Sequence, residues 1–161
     1  MTDQNTNSNT KAENQRDALL ALHPSAFLTG TRAYGPASPT SDYDICYLCT
    51  ADTGDFEQLA MGVLQDPVKT ESDYFQHSYY ITDDGGTGTV FNLIFLLPGD
   101  YVCWRKATEM MRLLPPMHTA SMRHGTFEML RAIIHTSLFA GVLVREAIEY
   151  YQTGLLPSKL L

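Results

Sequence analysis

The chain has 161 residues, 44% of them hydrophobic and 18% charged, which predicts one domain with a sizeable core. Its net charge of −7 disfavours a broad, sequence-independent grip on nucleic acid, which needs a basic surface to displace counterions, and leans towards a free nucleotide or a protein as partner. No apolar run is long enough to cross a bilayer and the N-terminus is polar rather than signal-like, so the expectation is a cytoplasmic protein that leaves the membrane alone.

Residues 1–13 are rich in Asn, Thr, Asp and Gln without apolar periodicity and read as a flexible tail, leaving 14–161 as a single domain. Asn14 to His23 carries Ala18, Leu19, Leu20 and Leu22 and predicts a short helix stopped by His23-Pro24. Ala26-Phe27-Leu28 is a short apolar strand that breaks at Thr29-Gly30-Thr31-Arg32, with one helical turn after it. A loop of Gly, Pro, Ser and Thr leads into a second strand, Ser41 to Leu48.

A helix follows in which Asp55 is the expected cap. Phe56, Leu59, Ala60, Val63 and Leu64 give it one apolar face, and Pro67 ends it. Tyr74–Ile81 and Thr87–Leu96 read as strands joined by Asp83-Asp84-Gly85-Gly86, a hairpin. Asp100 is the expected cap of a helix with a core stripe of Tyr101, Trp104, Thr108 and Met111, stopped by Pro115-Pro116. A long helix, about Ser121 to Gln152, carries Phe127, Leu130, Ile134, Leu138 and Ile148, with Gly125 and Gly141 as places for close packing or a bend. This order predicts an α+β fold: a small mixed sheet packed with helices and a helical C-terminus.

Three cysteines, Cys46, Cys49 and Cys103, do not suggest a disulfide framework. Cys46 and Cys49 have Cys-x-x-Cys spacing, but residues three apart on a strand face opposite sides, so buried thiols in a reducing compartment are expected.

The chemistry concentrates around Gly30 and Asp42. Alternate strand residues share a face, so Asp42 and Asp44 point the same way and repel unless a cation lies between them. A hard divalent ion favours such oxygen ligands and completes its shell with water and phosphate oxygens. At Gly30-Thr31 the glycine lets the backbone approach closely, the free N–H groups attract an anion, and the Thr31 hydroxyl adds a donor.

Gly30-Thr31 followed by Asp42-Tyr43-Asp44 resembles the signature of the nucleotidyltransferase superfamily, whose fold is that of the polymerase-β catalytic domain. Gly30-Thr31-Arg32-Ala33-Tyr34-Gly35 and Ser41-Asp42-Tyr43-Asp44 are similar to segments of small predicted nucleotidyltransferases of bacteria and phages. The resemblance implies Mg²⁺ (or Mn²⁺) held by Asp42 and Asp44, and a nucleoside triphosphate held at Gly30, Thr31 and Arg32. It also implies a third carboxylate on a later strand that assists the base. The positional match is Asn92, in Val90-Phe91-Asn92-Leu93-Ile94, so the implied catalytic set is Asp42, Asp44 and Asn92. An amide carbonyl can ligate a metal but cannot take a proton. Glu71, Asp73, Asp83 and Asp84 are the alternative third carboxylates.

Arg32 stands open between internal counterion to the Asp pair and phosphate contact. Tyr34 reads as packing or a lid, and Arg123 and Lys106 as further phosphate contacts; the histidines show no ligand spacing. Two functions compete. One is Mg²⁺-dependent transfer of a nucleoside monophosphate to a hydroxyl of a protein or small acceptor. The other, motivated by Asn92, is a non-catalytic nucleotide-binding or protein-interaction module, such as a phage-encoded regulator or inhibitor. A nucleic-acid-binding accessory role fits the acidic charge least.

Overall fold

A computed structural model describes residues 10–49, 56–72, 75–82 and 86–153. The elements are α1 (Lys11–Ala21), β1 (Phe27–Thr29), α2 (Thr31–Tyr34), β2 (Tyr43–Leu48), α3 (Phe56–Val63), β3 (Val68–Ser72), β4 (Gln76–Thr82), β5 (Gly88–Leu96), α4 (Pro98–Leu113) and α5 (Ala120–Thr153). The fold is α+β, as expected: a five-stranded mixed sheet in the order β1-β2-β5-β4-β3, packed with helices. The expected hairpin is present as the antiparallel β4–β5 pair. β2 and β5 run parallel, while β1–β2 and β3–β4 are antiparallel.

Strand alternation divides the core in two. One sheet face carries Tyr43, Ile45, Tyr47, Phe91 and Leu93, packed with Leu19 of α1 and with Ala60 and Leu64 on the α3 side. The other carries Cys46, Ile94 and Leu96, which meet Tyr101 and Trp104 of α4. Beyond these, Cys103, Ala107 and Met111 pack against Phe127, Leu130 and Ile134 of α5. Side-chain hydrogen bonds tie helices to sheet. The Tyr47 hydroxyl donates to the Leu19 carbonyl at 2.8 Å, and the Thr29 and Thr108 hydroxyls share a buried bond of 2.7 Å. Such buried partners matter because an unpaired hydroxyl there would carry its full desolvation penalty.

Several element boundaries differ from expectation. α1 begins at Lys11, inside the supposed tail, because Thr10 and Glu13 form a reciprocal capping box; residues 1–9 lie outside the described residues. β2 begins at Tyr43, leaving Asp42 just before the strand. The edge strand β3 was not expected: all five of its residues are exposed, so no apolar alternation announces it. α4 starts at Pro98 with Leu97 as its cap residue, so Asp100 sits in the first turn and not at the cap. There proline needs no N–H partner and its ring fixes a helical φ.

In α4, Cys103 and Ala107 join Tyr101, Thr108 and Met111 in the core, while Trp104 is only partly buried. α5 buries Phe127, Leu130 and Ile134 but exposes Leu138, and a side chain at Gly125 would meet open space, so close packing is not that glycine's role. Cys46 and Cys103 are buried free thiols, whereas Cys49, just past the end of β2, is exposed. Asp55, Asp73, Asp83 and Asp84 and the Ile148 side chain lie outside what is described. Among the described residues, no helix is long and apolar enough to cross a membrane.

Candidate functional site

The sheet register builds one polar row. Thr29 of β1 pairs with Asp44 of β2, Asp44 with Asn92 of β5, and Asn92 with Ser78 of β4. Partners directly across a sheet present their side chains on the same face. Asn92 therefore lies on the side of the acidic pair, as the third-position assignment required. Its Nδ2 donates to Asp44 Oδ1 at 2.7 Å and, at 3.5 Å, to Asp42 Oδ2. The Ser78 hydroxyl donates to Asn92 Oδ1 at 2.6 Å. Asp42 is exposed and Asp44 is partly buried beside it.

The Asn92 amide eases the repulsion between the two carboxylates. The amide N–H of Asn92 sits where both acids converge and supplies the positive end of a dipole. Burial still holds the Asp44 carboxyl above the usual carboxylate range; the Asn92 bond pulls it back down and the Asp42 charge pushes it up. An all-oxygen pair converging on one point fits a hard divalent ion, with water and phosphate oxygens completing the shell. For Asn92 to act as a third ligand its amide must turn over. Its oxygen would then face two carboxylates, an orientation that only a cation between them makes favourable. No group of three His, Cys, Asp or Glu side chains suited to a metal occurs among the described residues.

Gly30 backs onto this pair. Its φ of +68° is the left-handed region, and a Cβ there would run into the Asp44 carboxylate. The α2 turn packs on β1 and β2 through that approach, and the Gly30 carbonyl accepts from the Ala33 and Tyr34 N–H groups. Arg32 is hydrogen-bonded to the loop before β2 and not to the Asp pair. Its Nε and Nη2 donate to the Ser41 carbonyl at 3.1 and 2.9 Å, Nη2 also reaches the Pro39 carbonyl, and the guanidinium lies 4.3 Å from the Tyr43 ring centroid. It braces the loop that delivers Asp42.

A cavity of about 260 Å³ opens beside Asp44, floored by Thr29, Gly30, Thr31 and Ile94. Tyr34 and Trp104 form its aromatic side with Phe127: Tyr34 stacks on Phe127 at 6.0 Å and Trp104 meets the same ring edge-on at 5.2 Å. Burial, with the negative charge of Asp44, pushes the Tyr34 hydroxyl up to about 12. Arg123 lines the cavity as expected, one nitrogen held by the Met117 carbonyl at 2.8 Å. Lys106 does not reach it; that side chain lines a separate groove with Met110 and Leu113. Glu71, on the edge strand β3, pairs with Ser78 at the end of the same register row, three strands from Asp44.

Sequence reasoning missed Gln76, Trp104 and His124 as lining residues and Ser78 as the partner of Asn92. The hairpin register carried the signal for Ser78, since Asn92 and Ser78 pair once the two strands align. Trp104 was read as core because its helical spacing fits a stripe. Compared with protein-family models and with curated proteins, the chain matches none.

Proposed function

We propose that this chain is a nucleotidyltransferase-like protein that binds a divalent metal–nucleoside triphosphate in the cleft between the Gly30 turn and Asp44. The observation that carries the reading is the convergence of Asp42 and Asp44 on the Asn92 amide directly beneath a left-handed glycine. Asp42 and Asp44 would hold Mg²⁺ or Mn²⁺, and Gly30 and Thr31 would receive the β- and γ-phosphates. When bound, the metal supplies charge neutralisation for the pyrophosphate leaving in nucleoside monophosphate transfer. The acceptor class is a hydroxyl on a protein or small molecule. Arg32 contributes through the loop it braces, and Tyr34, protonated at neutral pH, contributes a hydroxyl donor to the cavity. Free cysteines and the acidic surface support a cytoplasmic setting without extended nucleic-acid binding.

A second reading, a binding module that transfers nothing, is favoured by one observation. Asn92 uses its amide to hold Asp44 and can accept no proton, and among the described residues no third carboxylate joins Asp42 and Asp44 in a group that could hold a metal. Calorimetry with each Mg²⁺–triphosphate tests the shared core of both readings, and absence of metal-dependent binding by all four refutes it. Incubation with α-labelled triphosphates, Mn²⁺ and cell extract then separates them: label transferred to an acceptor supports the enzyme, and binding without transfer supports the module.

A further inference from the structure

Helix α5 outruns α4. At about 1.5 Å per residue its 34 residues span roughly 51 Å, while the 16 of α4 span roughly 24 Å. α4 ends at Leu113, which lines a groove with Met110, Ile133 and Leu138, and α5 runs on through residues 139–153. The groove encloses about 510 Å³ and stands open, with Leu113 86% and Ile133 53% exposed. Adjoining exposed apolar side chains on two helices mark a contact surface, which singly scattered ones do not. The continuation of α5 has a matching character in its sequence. Gly141, Val144, Ile148 and Tyr151 recur at steps of three and four and extend the row begun by Phe127, Leu130 and Ile134. α4 covers that first half of the row with Cys103, Ala107 and Met111. The second half falls on the same helix face past the end of α4.

We infer that a second copy of this chain occupies the groove: α5 of each protomer lies antiparallel against α5 of the other, crossing at Gly141, so that each continuation enters the other's groove. A twofold contact of this kind is self-complementary, because the same patch serves on both sides. With Gly141 at the axis, the Val144 position of one copy comes opposite Leu138 of the other, and the Ile148 position opposite Ile134. Apolar positions therefore meet apolar positions, and a glycine at the crossing lets the two backbones approach. Charge follows the same register. The Glu149 position comes level with Ile133, which shares the groove with Lys106, a cation that makes no ion pair among the described residues. A foreign helix would fill the groove and leave the continuation of α5 bare; a second copy covers both at once. This pairing is independent of what the Asp44 cleft holds.

Sedimentation equilibrium of the full chain across the micromolar range tests the pairing, and a dimer is the expected result. Ile133→Arg, at an exposed position, is expected to give a monomer with an unchanged circular dichroism spectrum. Lys106→Glu is expected to weaken dimerisation about tenfold, and Glu149→Lys in the same chain to restore it. The crossing point is tested by chemistry. Cys46 and Cys103 are buried, so in a Cys49→Ser background the added thiol of Gly141→Cys is the accessible one among the described cysteines. A short bis-maleimide is expected to join two such chains, and to join none carrying Cys49→Ser alone. A wild-type chain that stays monomeric throughout the range overturns the pairing and leaves the groove to a different protein. A dimer indifferent to Ile133→Arg, or one that gives no crosslink at position 141, meets elsewhere on its surface and overturns it equally. Where Ile133→Arg fails to fold, the wild-type mass and the crosslink still decide.

Discussion

Asn92 acts as a neutral spacer between acids, and replacing it shows what it holds back. In Asn92→Asp the 2.7 Å donor to Asp44 is lost and a third negative charge joins the pair. The variant is expected to be less stable than wild type in EDTA, by about 1–3 kcal/mol for a lost bond to a charged group, and to recover on adding Mg²⁺. Its divalent affinity should exceed wild type, and any slow transfer should rise, since a positioned base is worth roughly 10²–10⁴-fold. Thermal scans with and without Mg²⁺ read the first effect; equal melting temperatures in EDTA would mean the amide carries no strain relief. Asp44 gives the matching pH signature. Its folded pKa is raised, chiefly by burial, so the native state binds more protons than the unfolded chain between the two pKa values. Stability is therefore lost as pH rises through that window. Asp44→Asn, which keeps an acceptor for the Asn92 amide, should gain on wild type in urea titrations as pH rises above the ordinary carboxylate value. Gly30→Ala is expected to cost about 1–3 kcal/mol from its φ alone, with further loss from the carboxylate it would strike. Native-like urea stability in that variant would show that the turn relaxes without harm.

At the scale of elements, the loop between α2 and β2 decides where Asp42 lies, and Arg32 is its brace. Arg32→Lys offers a point charge in place of a planar fork and cannot serve the Ser41 and Pro39 carbonyls while stacking on Tyr43. The expected outcome is faster amide hydrogen exchange over residues 36–41 and several-fold weaker binding of Mn²⁺ alone. Unchanged exchange with selective loss of triphosphate affinity would instead return Arg32 to the phosphates. Much of this architecture was legible because local and global signals agreed. Gly30 stood between an apolar strand and an acidic one, and the β4–β5 hairpin announced itself by its turn. What stayed hidden lacked a periodic signal. β3 is an exposed edge with no alternation. α1 begins in a polar run whose buried Gln15 breaks the apolar pattern, although the Thr10–Glu13 capping box was there to read. The role of Arg32 depended on carbonyls seven and nine residues away, which no helical or strand period reveals. Trp104 read as core and does pack there, but its place on the cavity lining has no signature in helical spacing.

Across the whole molecule the sheet separates two tasks. The face under α1 and α3 is apolar throughout its centre and holds the fold together. The opposite face gives up part of its core to the row Thr29, Asp44, Asn92 and Ser78, and α4 and α5 make good that loss by packing on each other. Stability and site are thereby placed on opposite sides of one layer, so polar changes in the row need not disturb Ile45, Tyr47 or Leu93 beneath it.

The parallel pairing of β2 with β5 also sets the order in which the protein is made. Asp44 and Asn92 are 48 positions apart, with α3, β3 and β4 formed between them, and non-local strand pairing of this kind slows folding. The site is thus not inherited from any hairpin; it comes into being at the moment the two central strands close. That closure brings a pair of like charges against its partner strand, so an ion held between them would assist it. Stopped-flow refolding is expected to be faster in Mg²⁺ than in EDTA, with the unfolding limb little changed. An effect confined to unfolding would mean that the strands meet first and the acids settle afterwards.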